Sequence, residues 1–599
     1  MMLRPCLLAL LALPALLSGT ARAQKAVPRF PQASVPHMDP DLPRTLQNVL
    51  PSEPGSFHPP PQPQDDAPLP SPDPTPVLDA LRGIIVTRAD ATPKQEGNLA
   101  ISAASLGLSS EERADLNALL APYLNRPASL ETFSKLESAV TRWYRGRGHA
   151  FVSVAVPPQR IHNGMLTITV LEYKIGKIDV IGNRWFAAWQ IRARSALKSG
   201  DIPTLQSLQG DLTWANANPF FTVDTLFRPG KTVGTTDVAL DVSDRFPVYA
   251  FAAYNNQSDP TTGRLNWNLG VTWGNAFALG QTVSYQYTRA DSGRSTSHLG
   301  SWSIPLLSLR DQVLIFGTYS STAPIAPPPY TNAGVSSQIS IRYEHNLPHI
   351  VLGSGFGIDG LLRLGFDWKE TMSDQYKNGH PIVLATADTT QFVVDYTGSL
   401  QDPLGKTEIH NILAYGPGGL IGHTSAYAYD MIVPHAKPDY VYDRLTLTRT
   451  ISLPAGFSST TTLTGQLATH NLLYSEQLEA GGIGTVRGYY VNTSFGSEGA
   501  QVSEEVHAQP LSIAKTLNLG AGFADKETLG VFWDWAENSQ RRAAEGFGNK
   551  TGLASVGIDL NSTINRVTNI NFDMGYRLRA LPGSHEHGNF CDFAVVMGF

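Results

Sequence analysis

Two cysteines in 599 residues leave almost nothing to staple the chain with. Cys6 falls inside an N-terminal apolar stretch, so Cys591 is the one thiol expected after processing, and no intrachain disulfide can form. A cysteine-framed secreted module is therefore excluded. Long apolar runs are scarce too: beyond the N-terminus no segment offers the roughly 18 nearly uninterrupted apolar residues that a membrane helix needs. That excludes a helical membrane protein. Nor is there an excess of positive charge. With 45 basic against 51 acidic residues and a net charge of −6, nothing points to nucleic acid.

The N-terminus carries Arg4, an apolar core from Cys6 to Leu17 and Ala21-Arg22-Ala23, the small-x-small pattern of a signal peptidase site. Residues 1–23 are thus expected to be a signal peptide, with Gln24 starting an exported chain. Between Pro28 and Pro76 prolines recur every few residues, which favours an extended tether over a packed core. Within this 24–78 segment, Asp41 to Leu50 has an acidic start, Pro43 in its first turn and apolar Leu42, Leu46, Val49 and Leu50. A short helix over about 39–50 fits that pattern.

Residues 79–173 read as a small α/β domain. It has a strand at Gly83-Ile84-Ile85-Val86, helical patterns over 109–123 and 129–147, and strands at 151–156 and 166–170. Pro157-Pro158-Gln159 and the turn Asn163-Gly164 separate the last two strands. A second unit of similar size spans 174–246. From 247 the pattern changes to short segments of period two. In Leu265 to Trp273 every odd position is apolar and every even one polar or glycine, and Ile570 to Leu578 repeats this on even positions. Asp573 and Arg577 then belong to the other face, toward water, because an arginine at a bilayer midplane costs roughly 2–4 kcal/mol.

Sixteen such segments start near 246, 264, 281, 296, 312, 335, 355, 390, 405, 439, 459, 500, 528, 553, 566 and 589. An even count returns both ends of a closed barrel to one side of the membrane. It also places the longest connections, 320–335, 370–389, 417–438 and 472–499, together on the opposite side. The chain ends with apolar residues on odd positions and a terminal aromatic, Phe599.

One loop stands out: Thr485-Val486-Arg487-Gly488-Tyr489, preceded by Gly481-Gly482. About fifty residues later comes Phe532-Trp533-Asp534. These strings resemble the Val-Arg-Gly-Tyr loop tip and Phe-x-Asp strand of two-partner secretion transporters (TpsB; the ShlB/FhaC/HecB haemolysin secretion/activation proteins), which belong to the BamA-related superfamily. The order of elements over 79–173 resembles the family's first polypeptide-transport-associated (POTRA) domain, and 174–246 its second. The resemblance implies a 16-stranded antiparallel transmembrane β-barrel over 247–599, preceded by two periplasmic POTRA domains. It further implies that the loop at about 472–499 folds inward, that helix 39–50 plugs the pore, and that Phe599 closes a barrel insertion signal.

Flanking glycines let such a loop turn, and arginine offers a planar fork to a carboxylate. Strand parity points Phe532 and Asp534 inward and Val531 and Trp533 toward lipid, so Asp534 is the expected partner of Arg487. Glu504 or Glu505 is the alternative. Other motifs lead nowhere: Gly482-Ile483-Gly484 lacks the remainder of a dinucleotide loop, and His585-Glu586-His587 has no further ligands around it. Without a nucleophile elbow or a paired-carboxylate site, no enzyme and no cofactor are expected. The function implied by the resemblance is export, with possible activation, of a large exoprotein such as a haemolysin or adhesin bearing an N-terminal secretion domain. Outer-membrane lipid and the barrel assembly machinery would be further partners, and an outer-membrane barrel assembly factor is the alternative function.

Overall fold

The computed structural model describes residues 73–599 apart from 94–99, 150, 217, 307–310, 349, 352–355, 519–523, 545–548, 566 and 581–586. The stretch expected to be a signal peptide, most of the proline-rich segment including the helix expected at 39–50, and His585 and Glu586 lie outside the described residues. These divide into two compact units between Phe246 and Pro247.

The first unit holds two larger sheets and a two-stranded one. In the first, the strand order is Ile101–Ser102, Gly83–Arg88, Met165–Glu172, Val152–Ala155. Helix Ser110–Leu120 begins in a capping box, with Ser109 Oγ accepting from Glu112 N–H and the Glu112 carboxylate accepting from Ser109 N–H. Helix Leu130–Arg145 is capped by Ser129. It buries Phe133, Leu136, Val140 and Tyr144, which lie three or four apart on one face. The core joins these to Leu116, Leu120, Ile84, Leu166 and Ile168. Pro76–Leu78, assigned from the sequence to the proline-rich tether, instead pairs as a strand with Ala128–Ser129, because Leu78 packs on this core.

Gln159 extends the first sheet past the prolines. Its amide donates to the Thr167 carbonyl at 2.7 Å and accepts from the Thr167 N–H at 2.9 Å, as a strand residue would. Gln159→Ala is expected to destabilise this unit by about 1–3 kcal/mol, since both Thr167 groups lose their partner. Pulse proteolysis of the full chain in urea measures it. The second sheet runs Lys174–Ile181, Thr235–Asp244, Phe221–Pro229, and Asn216 closes its edge by the same device on Val223.

The second unit is a closed barrel of sixteen antiparallel strands, with the two-residue Ile350–Val351 as a side pairing. β1 (Val248–Asn255), β2 (Asn266–Ala276), β3 (Gln281–Ala290) and β4 (Ser295–Pro305) come first. β5 (Asp311–Thr322), β6 (Tyr330–Asn346), β7 (Gly357–Lys377) and β8 (His380–Asp402) follow. Next are β9 (Gly405–Pro417), β10 (Asp439–Ser452), β11 (Ser458–Ala468) and β12 (Glu498–His507). β13 (Asp525–Ser539), β14 (Lys550–Ile564), β15 (Thr568–Arg577) and β16 (Asn589–Gly598) complete the ring. Trp267, Leu269, Val271 and Trp273 of β2 form an outer apolar stripe, as alternation requires.

Two of the four long connections expected on the far side are much shorter. β7 and β8 have 21 and 23 residues and turn at Asn378-Gly379, both at positive φ, so 370–389 is strand and not loop. Likewise only 323–329 join β5 to β6. A tilted strand needs about 9–11 residues to cross a bilayer. Beyond that depth no lipid demands an apolar face, so alternation fades while the backbone ladder continues. The other two connections are long: 418–438 contains helix Ala426–Ile432, and 469–497 enters the lumen. β1 meets β16 over Phe251–Asn255 and Ala594–Gly598. Asn256 prolongs that seam, donating to the Cys591 carbonyl and accepting from Phe593 N–H, each at 2.8 Å. Phe599 exchanges backbone bonds with Ala250 at 2.8 and 3.1 Å.

Candidate functional site

The connection from β11 to β12 descends into the barrel as a short ribbon, Leu478–Ala480 paired with Ser494–Gly496, and carries its glycine-rich tip onto the wall formed by β12 to β15. Gly481, Gly482, Gly484 and Gly488 all have positive φ, between 87° and 114°, a region that disfavours side chains with a Cβ. Val486 and Tyr489 are fully buried with Ala480, Ala536 and Leu553.

Arg487 makes a fork on Asp534. Its Nε donates to Oδ2 at 2.9 Å and its Nη2 to Oδ1 at 2.8 Å, while its backbone N–H reaches the same Oδ2 at 3.0 Å. Ser503 Oγ steadies Asp534 at 2.8 Å. The guanidinium lies 3.6 Å from the ring centroid of Phe532, so both inward residues of the Phe-x-Asp strand touch it. Asp534 is wholly inaccessible, whereas Val531 and Trp533 are 55% and 42% exposed on the outer face.

The sequence offered Asp534 or Glu505 as alternatives, and Arg487 takes both. Its Nη1 lies 2.7 Å from Glu505 and 3.6 Å from Asp573. Glu504, with the opposite parity, is held by Ser459 and Thr461 and does not join them. The tip is fixed further along as well. Tyr489 OH lies 2.6 Å from the Arg579 carbonyl and 2.9 Å from that of Ala554. Arg577 Nε donates to the Gly488 carbonyl at 2.6 Å, and a Cβ on Gly488 would stand 3.0–3.1 Å from the Gly575 backbone. Phe599 is remote in the fold's connectivity, at the seam. His587 Nδ1 faces the Arg577 carbonyl at 3.2 Å, and no cluster suited to a metal occurs among the described residues.

The family of haemolysin secretion/activation proteins ShlB/FhaC/HecB matches residues 234–525, and the ShlB-type POTRA domain matches 107–172. The chain belongs to this family. It is a two-partner secretion transporter of the outer membrane, with its POTRA domains in the periplasm. The outer membrane transporter CdiB of Dickeya dadantii (strain 3937) is 22% identical over 411 residues, 66% of this chain and 69% of that protein. The heme/hemopexin transporter protein HuxB of Haemophilus influenzae (strain 86-028NP) is 20% identical over 174 residues, 28% of this chain and 30% of that one. Among solved structures, CdiB from Escherichia coli superposes with a TM-score of 0.67 at 15% identity, covering 89% of this chain and 93% of that one. At that identity the likeness establishes the shared fold.

Sequence reasoning about this transporter missed a second charged cluster at the root of the same loop. Glu476 is fully buried. It accepts from Lys369 Nζ of β7 at 2.5 Å, from Tyr442 OH of β10 at 2.8 Å and from Gln391 Nε2 of β8 at 3.1 Å. Asp367 links this group to Arg342 at 2.6 Å and to Gln391 at 2.8 Å. Asp367 and Lys369 share the inward parity of β7 and are buried. Nothing in the sequence tied them to a glutamate more than a hundred positions away.

Proposed function

We propose that this transporter exports one large polypeptide in an unfolded state through the barrel lumen, and that the Val486 to Tyr489 tip is an element of the passage. The observation that carries the reading is the Arg487 fork on Asp534: a charged loop tip sealed against the inner wall obstructs the space a crossing chain would use. The periplasmic POTRA domains bind the substrate's N-terminal secretion region, adding it as a strand to a sheet edge. The crossing chain then displaces the tip, and the helix at 39–50 if it occupies the pore. Folding outside opposes return, so no nucleotide is required. Haemolysins and adhesins are the class of cargo, and activation of the cargo on passage is part of the proposal. Phe599 serves recognition by the barrel assembly machinery during insertion into outer-membrane lipid.

Deleting the gene and comparing secreted with outer-membrane proteins tests this reading. Loss of a single large exoprotein is the expected result. Broad loss of outer-membrane barrels would replace it with the assembly-factor function.

A further inference from the structure

We propose that Glu476 is a positioning residue that holds the loop root stationary, so that only the tip, residues 481–493, swings during export. This rests on the reading of the tip as a movable element of the passage.

The loop is fastened in two separate places, largely on different walls. The tip is held by β12 to β15 through Arg487, Tyr489 and the Gly488 carbonyl. The root is held mainly by β7, β8, β10 and β11. Besides the three donors to its carboxylate, Glu476 has its backbone carbonyl capped by Arg444 at 3.2 Å and Gln466 at 3.0 Å. Arg444 also reaches the Gln477 carbonyl at 3.2 Å, and Gln466 the Ser497 carbonyl at 3.1 Å, so both legs of the loop share one clamp. Asn538 ties the ribbon to β13 through the Leu478 and Ser494 carbonyls, at 3.0 and 3.3 Å. Leu472 and Leu473 are buried against Tyr429 and Ile432 of the helix Ala426–Ile432.

Between the two fastenings lie the joints. Gly481 and Gly482 have φ of 114° and 94° on the outgoing leg, and Asn492 has φ of 61° on the return. Glycine carries the least steric restriction on rotation about the backbone. Losing the Arg487 fork frees what lies beyond these joints. It leaves the root's hydrogen bonds untouched, because none of the bonds just described for the root clamp involves Arg487 or Asp534. If the root also moved, the buried charges of Glu476 and Lys369 would be separated, which is strongly destabilising because it leaves uncompensated charge in the interior. Glu476 therefore sets where the tip is presented to the β12–β15 wall without touching that wall itself.

Thiol reactivity in the full-length protein, purified in detergent with Cys591→Ser as background, distinguishes the two segments. Ser475 and Val486 are both essentially inaccessible, so Ser475→Cys reports on the root and Val486→Cys on the tip toward a small charged methanethiosulfonate. Adding Arg487→Ala should accelerate modification at 486 by about tenfold or more and leave 475 unchanged. Adding Glu476→Gln should accelerate modification at 475. Lys369→Met combined with Glu476→Gln should recover most of the protection, because no buried charge is then left unpaired; a purely steric role for Glu476 would show no such recovery. Joint acceleration at 475 and 486 in Arg487→Ala would overturn the hinge, as would no acceleration at 486. Fast reaction at 475 in the Lys369→Met/Glu476→Gln protein would overturn the role of the charge pair. Heat-modifiable mobility confirms that each barrel is folded. None of these readouts depends on secretion, so export through the lumen stands or falls separately.

Discussion

Arg487→Ala reduces export by at least about tenfold while the barrel still inserts and folds. Removing one partner of a buried ion pair typically costs about 3–5 kcal/mol. A water-accessible lumen lowers that figure, and about 2 kcal/mol would already change the seated fraction of the tip some thirtyfold. The loss is not symmetrical between the partners. Without Arg487, the carboxylates of Asp534, Glu505 and Asp573 are left facing one another around an empty position. Without Asp534, the guanidinium keeps Glu505 at 2.7 Å. Asp534→Ala should therefore impair export less than Arg487→Ala. Arg487→Lys should not rescue it, since an ammonium gives neither the fork nor the stacking on Phe532. The measurement is secreted exoprotein per folded barrel in the outer membrane, with folding read from heat-modifiable mobility. Export at wild-type level by both alanine variants would remove the pair from the mechanism.

A methyl group at position 575 should be nearly as damaging. A Cβ there would lie 2.7 Å from both Cα and N of Gly488 and 2.9 Å from the Arg487 carbonyl carbon. All three are backbone atoms, so no side-chain rotation relieves the clash, and the tip must lift off the wall together with Arg487. In Gly575→Ala the strand itself is unharmed, because alanine is acceptable in extended backbone. Export is expected to fall by about tenfold, as for a lost buried pair, with thermal stability of the barrel unchanged. Gly465→Ala on β11 is the control, since a Cβ there meets nothing within 4 Å. Equal export by both glycine variants would show that the close seat of Gly488 on Gly575 is dispensable.

Much of this architecture was legible because lipid imposes a regular demand on sequence. Wherever a strand crosses the bilayer, alternate residues must be apolar, and that alternation alone yields the sixteen strands found. The same regularity explains the misreading of 370–389: outside the bilayer the demand ends, and the outward positions Glu370 and Asp374 of β7, opposite Asp388 and Leu384 of β8, form no continuous apolar stripe. The approach of Arg487 to Asp534 was legible from parity together with the motif. The Glu476 cluster was not, because its members sit on β7, β8, β10 and a loop, and each is an ordinary polar residue in its own segment. Parity says that Lys369 faces inward; only the closed ring decides which residue it meets. Gly575 was equally silent, since a glycine in a strand reads the same whether it floors a contact or faces open space.

The seam at Asn256 bears on how the ring is made. Fifteen of the sixteen strand pairings join sequence neighbours and can form as successive hairpins, whereas β1 and β16 lie at opposite ends of the unit. Bringing together chain ends separated by some 340 residues costs about 5 kcal/mol in closure entropy for a flexible chain. That cost is largely met by the hairpins already assembled, which deliver β16 alongside β1. Ring closure is accordingly the most non-local pairing of the barrel. The Asn256 amide and the terminal Phe599 stand at the two ends of that junction. An Asn256→Ala replacement would leave the hairpins intact and weaken that closing pairing alone.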